Sequence, residues 1–198
     1  MSPKHYAKRL LFIVGLMAIA LTGCTVEQSV FDAKGPVAEK QLSLLYLSFW
    51  IMTGVTVVVA VILIYVLIRY RKRKDQNTPP KQVEGSIWLE LTWIVIPIIL
   101  IATLAVPTVT KSFDLGGVPK GDDAFTVKVT GHQYWWEFEY PDLGITTANE
   151  MYIPVGQKIS LELESDDVIH AFWVPKLAGK TDAAPGRTNY MWIKADEP

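Results

Sequence analysis

Two long stretches without a charged side chain constrain this 198-residue chain more than any other feature. The first runs from Gln41 to Ile68, over 28 residues, and the second includes the 20 residues from Leu91 to Thr110. A helix needs about 20 apolar residues to cross a bilayer. We therefore predict two membrane spans, at about 41–68 and 87–110. The net charge of only −1 gives no indication of a nucleic-acid partner.

The charges next to these stretches predict how they are oriented. Five basic side chains within residues 69–74 directly follow the first span, and such clusters mark the cytoplasmic side. Residues 69–86 are therefore predicted to form a cytoplasmic loop. The segment 24–40 is then an external linker, and 111–198 forms an external domain on the same side.

The first 23 residues have the organisation of a secretory signal peptide. Three basic residues precede an apolar run at 10–21, and small residues lead to Cys24, the one cysteine of the sequence. The Leu21-Thr22-Gly23-Cys24 ending resembles a bacterial lipobox, which implies cleavage before Cys24 and a lipid on its thiol. The alternative is an uncleaved membrane anchor with a chance cysteine. One cysteine cannot form an internal disulfide or a thiolate-rich metal site.

The external domain changes to an alternating pattern. Phe125–Thr130 and Lys158–Glu164 alternate apolar and polar residues, which predicts strands with one buried face. Further strand candidates lie at 134–140, 151–156 and 188–194. Short strands with Gly and Pro turns favour an antiparallel sandwich or a Greek-key barrel. The domain has 8 basic and 14 acidic side chains, a balance typical of a solvated surface that could also steer a basic partner.

Four segments of the sequence are distinctive: Trp88-Leu-Glu-Leu-Thr-Trp-Ile-Val-Ile-Pro97, Gly131-His-Gln-Tyr-Trp-Trp-Glu-Phe-Glu-Tyr140, Asp166-Asp-Val-Ile-His-Ala-Phe-Trp-Val-Pro175 and Lys180-Thr-Asp-Ala-Ala-Pro-Gly-Arg-Thr-Asn189. They resemble segments of cytochrome c oxidase subunit II, in particular of the lipoprotein type of Gram-positive bacteria. The likeness covers nearly all of residues 35 to 198. It implies an α+β membrane protein: a two-helix transmembrane hairpin at 41–110, followed by a cupredoxin-like antiparallel β-sandwich that is incomplete at its C-terminus.

The resemblance also implies a function. Subunit II accepts electrons from cytochrome c at a dinuclear copper A centre and passes them to heme a of subunit I. The oxygen-reducing site, with its hemes and second copper, lies on subunit I, and subunit III completes the complex. The expected location is the bacterial cell membrane, with the C-terminal domain on the outer face and the N-terminus held by lipid.

The copper ligands are matched only in part. The family has one early histidine, which His170 matches, and then a cluster Cys-x-Glu-x-x-x-Cys-x-x-x-His-x-x-Met, which has no counterpart in these 198 residues. A mixed-valence copper pair needs soft bridging thiolates, which imidazole cannot replace. We therefore expect the chain to be a fragment of a longer subunit or a truncated product.

The remaining candidates are implied by the resemblance, and each also has a plainer structural interpretation. The electron is expected to enter at the aromatic segment, although Tyr134 stands where many members have tryptophan. Asp182 and Arg187 would face subunit I near a magnesium site and the heme propionates, and Glu90 would lie at the entrance of a proton path. The plainer interpretations are sandwich packing, a surface ion pair and a solvated helix-start acid. The aromatic candidates for electron entry are Tyr134, Trp135 and Trp136.

Two other functions remain open. A quinol oxidase subunit II would share the fold without copper, but it would not need an imidazole at His170. A lipoprotein with a binding sandwich and no redox role is less consistent with the hairpin and the four matched segments. The sequence contains no Ser-His-Asp or metal-triad spacing that would indicate a hydrolase.

Overall fold

The computed structural model describes residues 11–17, 27–71, 85–117 and 125–198. Within this part of the chain, two helices are long and apolar enough to cross a membrane: α1, Pro36–Arg69, and α2, Ile87–Leu115. Both uncharged stretches lie inside them. The predicted cleavage site, Cys24 and most of the predicted cytoplasmic loop lie outside the described residues.

Each helix extends beyond its uncharged stretch at the outer end. Pro36 occupies the first turn of α1, where its missing N–H is not needed and its fixed φ suits a helix. The outer ends are joined by an ion pair between Lys40 and Asp114 at 3.2 Å and by a hydrogen bond from Lys111 to Ser43. The uncharged stretches therefore mark the part of each helix that lies in the apolar layer of the membrane, and both helices continue from there into the polar layer outside it.

The described part of the external domain contains seven strands. Their bounds are β1 Phe125–His132, β2 Trp135–Tyr140, β3 Ile145–Ala148, β4 Ile159–Ser165, β5 His170–Phe172, β6 Thr181–Ala183 and β7 Asn189–Ile193. One sheet has the order β3-β2-β1-β4-β7, and β5 pairs with β6 in a second, smaller sheet. The predicted class, a two-helix hairpin followed by a mostly antiparallel β domain, is confirmed.

The central pair of strands corrects the antiparallel expectation. β1 and β4 run parallel, with Val127 opposite Leu161 and Val129 opposite Leu163. All four side chains are fully buried. Alternation predicted the buried face of each strand, but it contains no information on direction. The chain crosses back over the sheet between β3 and β4, so that β4 begins at the same end of the sheet as β1.

The predicted strand at Met151–Gly156 is wrong. This segment is irregular apart from an isolated bridge between Val155 and Ala195. Met151 and Ile153 pack against the core, which accounts for their apolar character without a strand. Pro154 lacks the N–H that a regular ladder requires.

The domain is joined to the hairpin through backbone groups that the helix ends leave unpaired. The N–H of Ala38, in the first turn of α1, donates to the carbonyl of Leu177 at 3.1 Å. The carbonyl of Leu115, at the end of α2, accepts a hydrogen bond from the indole of Trp192 at 2.9 Å. Such groups have no partner within a helix, so the domain provides a partner for one backbone group at each outer helix end. Gly35 lies at this junction, where a Cβ would overlap the carbonyl of Lys194.

We expect Gly35→Ala to loosen the junction, because the added methyl forces the two backbones apart. Overpacking of this kind costs about 1–3 kcal/mol. The free energy of unfolding of the detergent-solubilised chain, followed by tryptophan fluorescence in guanidinium, should fall by that amount. Gly54→Ala is the matched control, since nothing lies within 4 Å of its added methyl. An equal effect of both substitutions would contradict the prediction.

Candidate functional site

His170 is placed by close backbone packing. It begins β5, opposite Ala183 of β6, and its side chain is 18% exposed. The ring lies against Gly131 of β1, where a Cβ would come within 2.8 Å of the ring carbon Cδ2. Only a glycine leaves room for the imidazole there. The position of His170 therefore depends on a glycine at residue 131.

Asp167 fixes the orientation of the imidazole. Its Oδ1 lies 2.7 Å from His170 Nε2. The same carboxylate accepts hydrogen bonds from the backbone N–H of Val168 at 2.5 Å and of Gln133 at 2.7 Å. The hydrogen bond from His170, followed by those from the backbone, holds the pKa of Asp167 well below its ordinary value. Asp167 is therefore ionised at neutral pH and can only accept hydrogen bonds.

An ionised Asp167 selects one form of the neutral imidazole. Because the carboxylate accepts at Nε2, that nitrogen has the proton, and Nδ1 keeps its lone pair. Nδ1 makes no hydrogen bond with the described residues. In this tautomer the lone pair on Nδ1 has a fixed direction, which suits a metal ligand.

The three aromatic residues predicted as the site of electron entrance occupy different environments. Tyr134 is 94% exposed, in the turn between β1 and β2. Trp135 stacks on His132, with ring centroids 4.3 Å apart. Trp136 meets the His170 ring edge-on at 5.7 Å and Phe172 at 5.2 Å. Among the three, only Trp136 contacts His170.

Strand register explains this separation. His132 pairs with Trp135 and Gly131 pairs with Trp136 across β1 and β2. Successive residues of a strand face opposite sides of the sheet. Trp136 therefore faces the core and His170, while Trp135 faces outward over His132.

His132 is a residue that the sequence reasoning did not single out. Its Nδ1 lies 3.5 Å from Asp166 Oδ2, and its Nε2 lies 3.9 Å from Glu137 Oε2. Nε2 is buried and has no hydrogen-bond partner among the described residues. Asp167 was also missed. Its spacing of three residues from His170 was visible in the sequence, but the interaction depends on the turn that follows β4.

The other predicted site residues lie apart from this cluster. Asp182 lies on β6 opposite Ala171, and its carboxylate is free of ion pairs with described residues, as is the exposed Arg187 side chain. Both are accessible, as an interface would require. Glu90 lies in the first turn of α2, 25 residues before its last residue, Leu115. At 1.5 Å per residue this is about 38 Å from the outer end of the helix.

The described residues contain no group of three or more His, Cys, Asp or Glu side chains that could hold a metal ion. His170 offers one imidazole nitrogen, and no described residue is a cysteine. A dinuclear copper centre requires bridging thiolates. The residues present therefore account for one ligand of such a centre and do not fit the centre itself.

Family models and individual relatives both identify the chain as similar to cytochrome c oxidase subunit II. Residues 23–111 match the cytochrome c oxidase subunit II transmembrane domain, and residues 143–198 match its periplasmic domain. Cytochrome c oxidase subunit 2 of Alkalihalophilus pseudofirmus is 46% identical over 191 residues, covering 93% of this chain and 56% of the relative. The Bacillus subtilis protein of the same name is 41% identical over 202 residues, covering 98% and 56%.

Quinol oxidase subunits are related less closely. Quinol oxidase subunit 2 of Bacillus spizizenii is 35% identical over 195 residues, covering 96% of this chain and 61% of the relative. Among solved structures, the periplasmic domain of subunit II of cytochrome oxidase from Bradyrhizobium japonicum has 37% identity and a TM-score of 0.38, covering 41% of this chain and 69% of that one. The chain spans 56% of the length of the cytochrome c oxidase relatives described above.

The geometry predicts that Asp167→Asn changes the tautomer of His170. Asparagine offers one acceptor oxygen where the carboxylate has two, and the backbone N–H groups of Gln133 and Val168 compete with His170 for that oxygen. Nitrogen-15 NMR of the histidine rings should show a lower Nε2–H population for His170. Asp166→Asn is the control, because Asp166 contacts His132 instead. Unchanged His170 signals in Asp167→Asn would disprove the assigned role.

Proposed function

The chain belongs to the cytochrome c oxidase subunit II family, and from this membership we propose that it forms the membrane hairpin and part of the external domain of subunit II of a heme-copper terminal oxidase. The complete subunit would accept electrons from cytochrome c and deliver them to heme a of subunit I. The observation that carries the proposal is the oriented imidazole of His170 beside Trp136.

Family membership also sets the location. The chain is a membrane protein with two apolar helices and a C-terminal domain on the outer side. A lipid on Cys24, after removal of residues 1–23, is part of the proposal and would anchor the segment that precedes α1, which begins at Pro36 rather than at the predicted residue 41. Subunits I and III would surround the hairpin, and cytochrome c would approach the external domain.

We assign His170 as the early ligand of copper A in the complete subunit. The Asp167 hydrogen bond at Nε2 supports this role, since it leaves Nδ1 as the donor atom. Copper A, when bound, supplies a one-electron carrier with small reorganisation.

The aromatic segment divides into two proposed roles. Tyr134, almost fully exposed, would contact the electron donor, and aromatic side chains are frequent anchors of protein interfaces. Trp136, in contact with His170, would couple the surface to the ligand. Trp135 would hold the outer face of the turn through its stack on His132.

Three further residues are proposed to act toward subunit I. Arg187 is exposed and has a guanidinium that binds carboxylates bidentately, as a heme propionate requires. Asp182, on the strand beside β5, would face the same interface near the magnesium site. Glu90, at the inner end of α2, would lie at the entrance of the proton path.

A tagged copy of this chain, purified from membranes of the source organism, tests the function directly. We expect a heme-containing oxidase subunit to copurify and the complex to consume oxygen with reduced cytochrome c. Oxygen consumption with quinol but not with cytochrome c would instead establish the quinol oxidase alternative. The higher identity to cytochrome c oxidases than to quinol oxidases, 41–46% against 35%, favours the first outcome.

Substitutions in the aromatic segment should separate contact from coupling. In the assembled oxidase, Tyr134→Ala should raise KM for cytochrome c by about tenfold, as for the loss of one aromatic anchor, with kcat unchanged. Trp136→Phe should lower kcat and leave KM unchanged, because the smaller ring withdraws from His170. Trp135→Phe is the control for loss of an indole. A fall in kcat with Tyr134→Ala alone would reverse the two assignments.

A further inference from the structure

The backbone of Trp136 is held by Asn149, a residue that lies just beyond the end of β3. The ladder between β2 and β3 ends with Glu137 opposite Ala148. One step further in the same register, the N–H of Asn149 donates to the Trp136 carbonyl at 2.8 Å. The N–H of Trp136 donates in return to Oδ1 of the Asn149 side chain at 3.0 Å. A side-chain oxygen therefore takes the place that a backbone carbonyl would have in a continuing strand.

The backbone conformation of Asn149 explains why a side chain takes this place. Its φ is 62°, in the left-handed region, so the chain leaves the sheet here and does not continue the ladder. Asparagine adopts this conformation more readily than most residues that have a Cβ. Its side-chain carbonyl is also close enough to the main chain to accept from a nearby backbone N–H. Asn149 thus combines the turn with the acceptor that Trp136 needs.

The loop that follows Asn149 is fastened to the domain, which gives the acceptor a fixed position. The N–H of Tyr152 donates to the Tyr140 hydroxyl at 2.7 Å. Met151 and Ile153 pack against the hydrophobic core. Asn149 is therefore anchored on both sides, by β3 before it and by these contacts after it.

The position of the Trp136 backbone determines how its ring meets His170. The two rings lie edge-on with centroids 5.7 Å apart. On one side of β2, Trp136 lies opposite Gly131 of β1, and on the other side it is held by Asn149. Without the Asn149 oxygen, water would hydrogen-bond the Trp136 N–H but would not fix its direction.

We propose that Asn149 is a positioning residue that sets the contact between the Trp136 indole and the His170 imidazole. It acts through the backbone of Trp136. Its effect on electron transfer rests on the role proposed above for Trp136. The contact itself is formed by side chains of this chain alone, so it can be measured without a metal.

NMR of the full chain in detergent, with labelled histidine, follows this contact, because the indole ring current shifts the carbon-bound ring protons of His170. Asn149→Gly retains the positive φ and removes the acceptor. We expect it to move the His170 resonances in the same direction as Trp136→Phe does. Asn149→Asp keeps an acceptor oxygen and should leave these resonances near their original values. Unchanged His170 resonances in Asn149→Gly would overturn the proposal, as would an equal shift in Asn149→Asp.

Thr147→Val is the matched control from the same segment. It removes the hydrogen bond from the Thr147 hydroxyl to the Glu150 carbonyl, at 2.6 Å, and leaves both hydrogen bonds between Asn149 and Trp136 in place. We expect no shift of the His170 resonances. A shift as large as that of Asn149→Gly would mean that any loosening of this segment moves Trp136, which overturns a specific role for Asn149.

The assembled oxidase separates this proposal from the proposed function. There, Asn149→Gly should lower kcat with cytochrome c about threefold, on the order of the loss of one hydrogen bond, and leave KM unchanged. Asn149→Asp should restore kcat, because its added charge acts on KM. Shifted His170 resonances with an unchanged kcat would support the positioning role and contradict the role of Trp136 in electron transfer. A lower kcat without shifted resonances would overturn the positioning role.

Discussion

The external domain depends on the backbone groups that the two helices leave unpaired at their outer ends. An α-helix cannot satisfy its first N–H groups or its last carbonyls internally. Here the N–H of Ala38 reaches the Leu177 carbonyl, and the Leu115 carbonyl receives the indole of Trp192. The close approach of Gly35 to the Lys194 carbonyl brings the start of α1 against the residue that follows β7. The domain is therefore attached to both helices, which fixes its height above the membrane.

The His170 site follows from a second constraint, the close packing of β1 against β5. Gly131 leaves space for an imidazole, and Asp167 turns that imidazole so that Nδ1 is the available donor. Trp136 is directed toward the same ring by its position opposite Gly131. One donor nitrogen is thus oriented independently of any metal. For the copper ligand proposed at His170, this orientation reduces the entropy that metal binding would otherwise have to overcome.

The parts of this molecule that the sequence predicts are those set by one-dimensional patterns. A bilayer requires a continuous uncharged helix, so α1 and α2 were visible as stretches without charge. Alternation showed the buried faces of β1 and β4, because apolar residues recur at every second position: Val127 and Val129 in β1, and Leu161 and Leu163 in β4. The parallel pairing of these strands was not visible, since alternation is the same in either direction. The Met151–Gly156 segment has strand-like composition, but its apolar side chains pack from a loop.

The same distinction applies to the candidate site. His170 was identified through its resemblance to a family segment, while the separation of Tyr134, Trp135 and Trp136 required the register of β1 and β2. Asp167 was visible as a nearby carboxylate, but its hydrogen bonds to Gln133 and Val168 depend on how the chain turns after β4. Single residues could be selected from the sequence, whereas their partners depended on contacts between segments distant along the chain.

The junction at Gly35 also implies an order of biosynthesis. Gly35 and Lys194 are 159 positions apart, which at about 5–20 residues per second corresponds to roughly ten to thirty seconds of translation. The hairpin can enter the membrane long before its contacts on the external domain have been made. During that interval the outer end of α1 has no β domain to pair with, and water or lipid headgroups must hydrogen-bond its N–H groups. Membrane insertion therefore comes first, and attachment of the external domain is a late step that waits for Lys194 to cross the membrane.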